Sequence, residues 1–177
     1  MKQALLVVDV QENMVVGKYS VPGAAHFLEL FEQRIELARS NGTSVVWVQN
    51  DGPEGDIDEP FSDGWKLHFT PAPTELVVRK QTQDVFESNP DLATQLRDTG
   101  VETVELIGMQ SEYCVQASAR GAKAAGFTVV LNPELHATFH DGTPATNFTE
   151  DFQISATDLA RQVQARLVAD GIIQPAA

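Results

Sequence analysis

Asp9, Lys80 and Cys114 lie far apart in the chain, yet they are the residue types that nucleophilic hydrolysis needs. A thiolate is a strong nucleophile, and an ammonium beside it stabilises its charge. A carboxylate can take the thiol proton and later activate a water. Cys114 is the single cysteine of the chain and opens the Ala-rich run in "IGMQSEYCVQASARGAKAAG", residues 107–126. Helix N-terminal amides and a nearby ammonium would lower its pKa. Each residue also has a plainer reading. A lone cysteine there can be a small buried hydrophobe, Asp9 can cap a turn, and Lys80, which follows Arg79, can be surface charge. Against this, an acid that closes the apolar run "LLVV" is costly to bury unless it is paired.

Other chemistries have less to stand on. There is no GxGxxG fingerprint, no GxxxxGK(S/T) loop and no GxSxG elbow. The four histidines, His26, His68, His136 and His140, form no HExxH or CxxC-type ligand set. His136 and His140 are four apart, but Pro133 and "DGTP" predict loop around them. His26 falls on the first helix and is read as structural.

The elements that must position these residues follow from hydrophobic patterning. Residues 4–10, 43–49, 75–80, 103–108 and 127–132 are near-continuous apolar runs, as expected of parallel strands covered on both faces. A weaker strand, "FQIS" (152–155), brings the sheet to about six. The spacing of Ala24, Phe27, Leu28, Phe31, Ile35 and Ala38 predicts an amphipathic helix that Asn41-Gly42 stops. In "SNPDLATQLRDTG" Asn89 is the expected cap and Pro90 the first helical residue. Further helices are predicted over 112–125 and about 156–170. This alternation predicts an α/β fold with a mainly parallel sheet. Ligands of such sheets bind beyond the carboxyl ends of the strands. Asp9 ends the first strand, Gln49 and Asn50 the second and Lys80 the third, and the "GMQSEYC" turn follows the fourth. The three reactive types therefore converge on one edge. Two long connections, 50–74 with four prolines and three glycines and 132–150, are expected to be functional loops.

Length and composition set the bounds. The 177 residues suit one domain spanning 1–177. A formal charge of −13 argues against a nucleic-acid partner, and no apolar run reaches the roughly 20 residues that span a bilayer. In "MKQALLVVDV" the short apolar run, residues 5–8, is read as a strand, not a signal peptide. One cysteine permits no internal disulfide, which fits a reducing, cytoplasmic setting.

Taken together, "LLVVDVQ" with Asp9 and Gln11, "VVRKQTQDVFESNPDLATQLRDTGVETVELIGMQSEYCV" with Lys80 and Cys114, and "ARGAKAAGFTVVLNPELHATF" resemble the isochorismatase-like cysteine hydrolases. That family includes nicotinamidases, carbamoyl and ureido amidohydrolases, and isochorismatase itself. The resemblance covers roughly residues 4–140. It implies a three-layer α/β/α, Rossmann-like sandwich and a catalytic triad of Asp9, Lys80 and Cys114. It also implies a cis peptide at Met109-Gln110 and an oxyanion hole made by the backbone N–H groups of Gln110 and Cys114. Relatives form dimers or tetramers, so a homo-oligomer is expected. The chain departs from the nicotinamidase pattern, in which an Asp-x-His pair after the second strand and a later His hold a metal. "VQNDGPEG" puts Asn50 and Gly52 in those places, so no metal and no cofactor is expected.

Gln11, Asn50, Phe61, Trp65, Tyr113, His136 and Phe139 are the candidate substrate-binding residues, a mix suited to a small, partly apolar ligand. For the aromatic residues among them, loop packing is the competing role. The leading expectation is a cysteine amidohydrolase that cleaves a C–N bond of a small amide, carbamoyl or ureido compound through a thioester. Isochorismatase-type vinyl-ether hydrolysis, depending on Asp9 more than on the thiol, and a catalytically silent oligomeric binding protein are the alternatives.

Overall fold

The computed structural model describes residues 2–139 and 156–174. In chain order the elements are β1 (Lys2–Val8), α1 (Glu12–Val15), α2 (Ala24–Ser40), β2 (Ser44–Asn50), β3 (Leu76–Lys80), α3 (Val85–Ser88), α4 (Leu92–Asp98), β4 (Val101–Met109), a π-helical turn (Ser111–Val115), α5 (Gln116–Ala124), β5 (Thr128–Ala137) and α6 (Ala156–Ala169). The five strands form one parallel sheet in the order β3-β2-β1-β4-β5. About six strands were expected. The proposed sixth, 152–155, lies outside the described residues.

Alternation along the strands explains the three layers. In β1, Leu5 and Val7 join one buried cluster, with Val15 of α1 and Phe31, Ile35 and Ala38 of α2. Ala4, Leu6 and Val8 point the other way, into a cluster with Val85 of α3, Leu92 and Leu96 of α4, Ala119 and Ala122 of α5, and Val163 and Leu167 of α6. Successive side chains of a strand face opposite sides, so one apolar run supplies both cores. The predicted stripe on α2 is the buried face, with Phe31 wholly buried. Full burial of such a side chain contributes about 1.5–3 kcal/mol. β4 carries an acid in its middle, Glu105, which is buried and paired with Arg34 of α2 and with Gln3 of β1. This pairing offsets the cost of burying its charge and ties α2 to the sheet.

Two local expectations are corrected. Asn89 does not cap α4; its Nδ2 donates to the carbonyls of Arg79 (2.9 Å) and Val85 (3.1 Å), and Asp91 occupies the cap position. Pro90 lies ahead of that helix. The loop predicted to begin at 132 instead continues as strand to Ala137. A register shift opposite Leu106 to Gly108 absorbs Pro133 and places His136 beside Gly108. Gly108 has φ of 122°, and a Cβ there would lie 2.0 Å from the Val8 carbonyl oxygen. Glycine is thus required at this approach of β4 to β1, one residue before the Met109-Gln110 peptide. Among the described residues, no helix is long and apolar enough to cross a membrane.

Candidate active site

Parallel pairing brings the strand ends together. β2 and β3 are in register at Asn50 and Lys80, and β1 lies between β2 and β4. Asp9 follows β1 with φ of 50°, its N–H donating to the Val48 carbonyl at 3.0 Å. β4 ends at Met109 in a cis peptide to Gln110. The chain then turns through the π-helical segment, closed by the Val115 N–H donating to the Gln110 carbonyl (3.1 Å), and this turn carries Cys114. A π turn is uncommon and recurs at functional sites.

The three residues meet. Lys80 Nζ lies 2.8 Å from Asp9 Oδ2 and donates to Cys114 Sγ (3.1 Å) and to Asn50 Oδ1 (2.8 Å). Asp9 and Lys80 are almost wholly buried and Cys114 is half-buried. Burial pushes the Asp9 pKa up, against the opposing pull of Lys80. For Lys80, burial disfavours the charge, but Asp9 and Cys114 outweigh it and hold the ammonium above its ordinary range. Cys114 departs from the expectation of a lowered pKa. Burial and the Asp9 charge push its thiol up to about 12, and Lys80 offsets only part of that. The site thus favours the neutral thiol over the thiolate and makes Asp9 a stronger proton acceptor than an ordinary carboxylate.

The cysteine turn is held from β5. Ser111 Oγ is 2.8 Å from His136 Nδ1, and Thr138 Oγ1 donates to Glu112 Oε1 at 2.5 Å. His136 is fully buried under the turn. Burial lowers its pKa to about 4, against a contact with Gln164, so it is neutral near pH 7.

The other candidates separate by position. Gln11 is wholly buried and engaged by the framework: its Oε1 accepts from the Asn50 N–H (2.7 Å), and its Nε2 donates to the carbonyls of Asn50 (3.0 Å) and Trp65 (2.9 Å). Trp65 donates from Nε1 to Asp51 Oδ1 (2.8 Å), and Arg79, paired with Asp51, packs over its ring at 5.1 Å. Phe61 is 80% exposed, with φ of 73°, and its ring centre is 5.2 Å from that of Trp65. Phe139 packs against the α2-side core, and Tyr113 is partly buried beside Cys114. Ser111, Thr138 and Asp58 were not singled out in the sequence, and Gln49 was noted only as a polar strand end. Gln49 donates to the Trp65 carbonyl at 2.8 Å. Of the three missed, only Ser111 carried a signal, its nearness to Cys114.

A nicotinamidase-type metal does not fit these residues. Asn50 is committed through both ends of its carboxamide, to Lys80 and to Asp58, and Gly52 has no side chain. Asp51 is held by Arg79 and Trp65, and His68 faces Glu12 at 3.2 Å. Among the described residues, no group of three or more His, Cys, Asp or Glu side chains is placed to hold a metal ion.

The chain is similar to two streptothricin hydrolases of Streptomyces noursei, at 45% and 44% identity over 139 residues. The matched region is 77% of this chain but only 55% and 50% of theirs, so the chain spans about half the length of these relatives. It is 27% identical to a maleamate amidohydrolase of Pseudomonas putida, over 82% of this chain and 77% of that protein. The crystal structure of an isochorismatase family protein shares the fold, with a TM-score of 0.81 and 24% identity over 99% of this chain and 98% of the other. The family model described as "Isochorismatase domain" matches residues 3–161. The chain belongs to the isochorismatase family.

Proposed function

We propose that the protein is a cysteine amidohydrolase that needs no metal and cleaves a C–N bond of a small amide, carbamoyl or ureido compound. The observation that carries this reading is the contact set at Lys80, with Asp9 at 2.8 Å and Cys114 at 3.1 Å beyond the strand ends. The amide chemistry named for maleamate amidohydrolase supports it, as does the hydrolase named for the streptothricin relatives.

The reaction proceeds by acyl transfer. Asp9 takes the thiol proton as Cys114 Sγ bonds to the substrate carbonyl carbon, and the raised Asp9 pKa makes it the stronger base. Backbone N–H groups of Gln110 and Cys114 receive the developing oxyanion. When the tetrahedral species collapses, the C–N bond breaks and Asp9 returns the proton to the leaving nitrogen. Water then attacks the thioester, giving one proton to Asp9. The C–S bond breaks, the acid leaves, and the proton returns to sulfur. Lys80 stays an ammonium throughout and compensates the negative charge that moves between Asp9 and Cys114.

The test is ammonia or amine release from a panel containing maleamate, simple carbamoyl and ureido acids, and streptothricin, with and without chelator. Turnover that survives chelation and disappears in Cys114→Ala is expected. Loss of activity on chelation overturns the metal-free reading. The thiol pKa of about 12 favours one second reading, vinyl-ether hydrolysis with Asp9 as the acid and a spectator Cys114. Near-normal turnover of isochorismate by Cys114→Ala would establish that instead.

A further inference from the structure

Resting on that assignment of Asp9, Lys80 and Cys114, we propose that Asp58 is a positioning residue, whose carboxylate orients the Asn50 carboxamide so that its oxygen holds the Lys80 ammonium in place between Asp9 and Cys114. Asn50 Nδ2 donates to Asp58 Oδ2 at 2.9 Å, while Asn50 Oδ1 accepts from Lys80 Nζ at 2.8 Å. A carboxamide has a donor end and an acceptor end, so fixing Nδ2 on a carboxylate turns Oδ1 towards the ammonium. The flipped amide would set its NH2 against Lys80, donor against donor. An ammonium has three N–H donors. Here they have three acceptors, Asp9 Oδ2, Asn50 Oδ1 and Cys114 Sγ, at 2.8, 2.8 and 3.1 Å. Losing the middle acceptor frees the ammonium to swing away from the sulfur.

The loop is shaped around this carboxylate. A Cβ on Gly52 would lie 2.0 Å from Asp58 Oδ1 and 2.5 Å from its Cγ, so any side chain at 52 expels it. The Gly52 N–H donates to the Asp58 carbonyl at 2.9 Å and closes the loop at the same point. Position 52 is where the nicotinamidase pattern has a histidine; here the space belongs to Asp58. The Asp58 charge also acts on Asp9, raising its pKa alongside burial and against Lys80 and Cys114. Asp58 thereby favours proton uptake by the base while it positions the cation.

The experiment is the rate at which iodoacetamide alkylates Cys114, the chain's single thiol, at pH 9. It needs no substrate, so its outcome is independent of which amide the enzyme cleaves. Asp58→Ala should slow alkylation by up to about tenfold relative to Asp58→Asn, in which the side-chain oxygen still accepts from Asn50; tenfold corresponds to one pK unit at the thiol. Gly52→Ala should match Asp58→Ala without altering either polar residue. The Asn50→Ala/Asp58→Ala double variant should be no slower than Asn50→Ala alone, because both act through one contact. Equal rates in Asp58→Ala and Asp58→Asn, or multiplied losses in the double variant, would overturn the proposal. Retained turnover in Cys114→Ala would instead sink the cysteine mechanism and leave the positioning result standing.

Discussion

Replacing the base should make the nucleophile easier to alkylate while it stops turnover. In Asp9→Asn the shape is kept, Lys80 remains beside Cys114 at 3.1 Å, and the negative charge that opposes thiolate formation is gone. A like charge at contact range shifts a pKa by about 1–3 units, so the thiol should fall from about 12 by that amount. At pH 8 the thiolate is a trace in the wild type, and each unit removed multiplies it about tenfold. Iodoacetamide should therefore label Cys114 about 10- to 1000-fold faster in Asp9→Asn. Turnover should fall by about 10²–10⁴-fold, the usual worth of a positioned acid–base group. The assay is a pseudo-first-order labelling rate from pH 6 to 11, followed by mass. The wild-type rate should keep climbing to pH 11, whereas the variant levels off sooner. An unchanged or slower rate in Asp9→Asn would refute the reasoning, since Asp9 would then not be holding the proton on sulfur.

Three more outcomes follow from charge and packing. Arg39 holds the Glu75 carboxyl down to about 2, helped by the Ala72 N–H and Trp47. A depressed carboxyl stabilises the fold above its unfolded pKa near 4.5 and loses that contribution as pH falls through about 2. The melting temperature of wild type should thus exceed that of Glu75→Gln at pH 6 and converge with it near pH 2. His136 has the same direction for a different reason: burial resists its protonation, so stability present above about pH 6.5 drains away towards pH 4. His136→Asn should flatten that part of the urea-midpoint profile, and an equally steep variant profile would exclude His136 as the cause. Gly108→Ala drives a Cβ into the Val8 carbonyl at 2.0 Å with φ of 122°. It should cost several kcal/mol by chemical denaturation; a loss below about 1 kcal/mol contradicts the close approach.

The architecture was largely readable because parallel, doubly covered strands leave unbroken apolar runs. Their ends were then enough to bring Asp9, Lys80 and Cys114 to one edge. What was hidden depends on pairing and distance. Pro133 argued for loop, yet a register shift opposite Gly108 carries β5 past it and buries His136. Gln11 and Asn50 looked alike as polar substrate-binding candidates, but one braces Trp65 and the other meets Lys80. The direction of the Cys114 pKa was misjudged because burial, the largest influence on it, is not visible in the sequence, and the Asp9 carboxylate adds to burial against Lys80. Asp58 is one of several acids in "EGDIDEP", and nothing local separates it from Asp56 or Glu59.

The protonated resting state of Cys114 bears on its survival under oxidising conditions. Peroxide attacks thiolates and carries exposed, low-pKa cysteines towards sulfenic and irreversibly oxidised acids. A half-buried thiol with a pKa of about 12 offers almost no thiolate near neutral pH. In the proposed mechanism the thiol proton leaves when an acceptor carbonyl occupies the site and Asp9 takes it. Under the proposed mechanism, burial first and the Asp9 carboxylate second keep the thiol protonated, so the reactive group resists oxidants between turnovers.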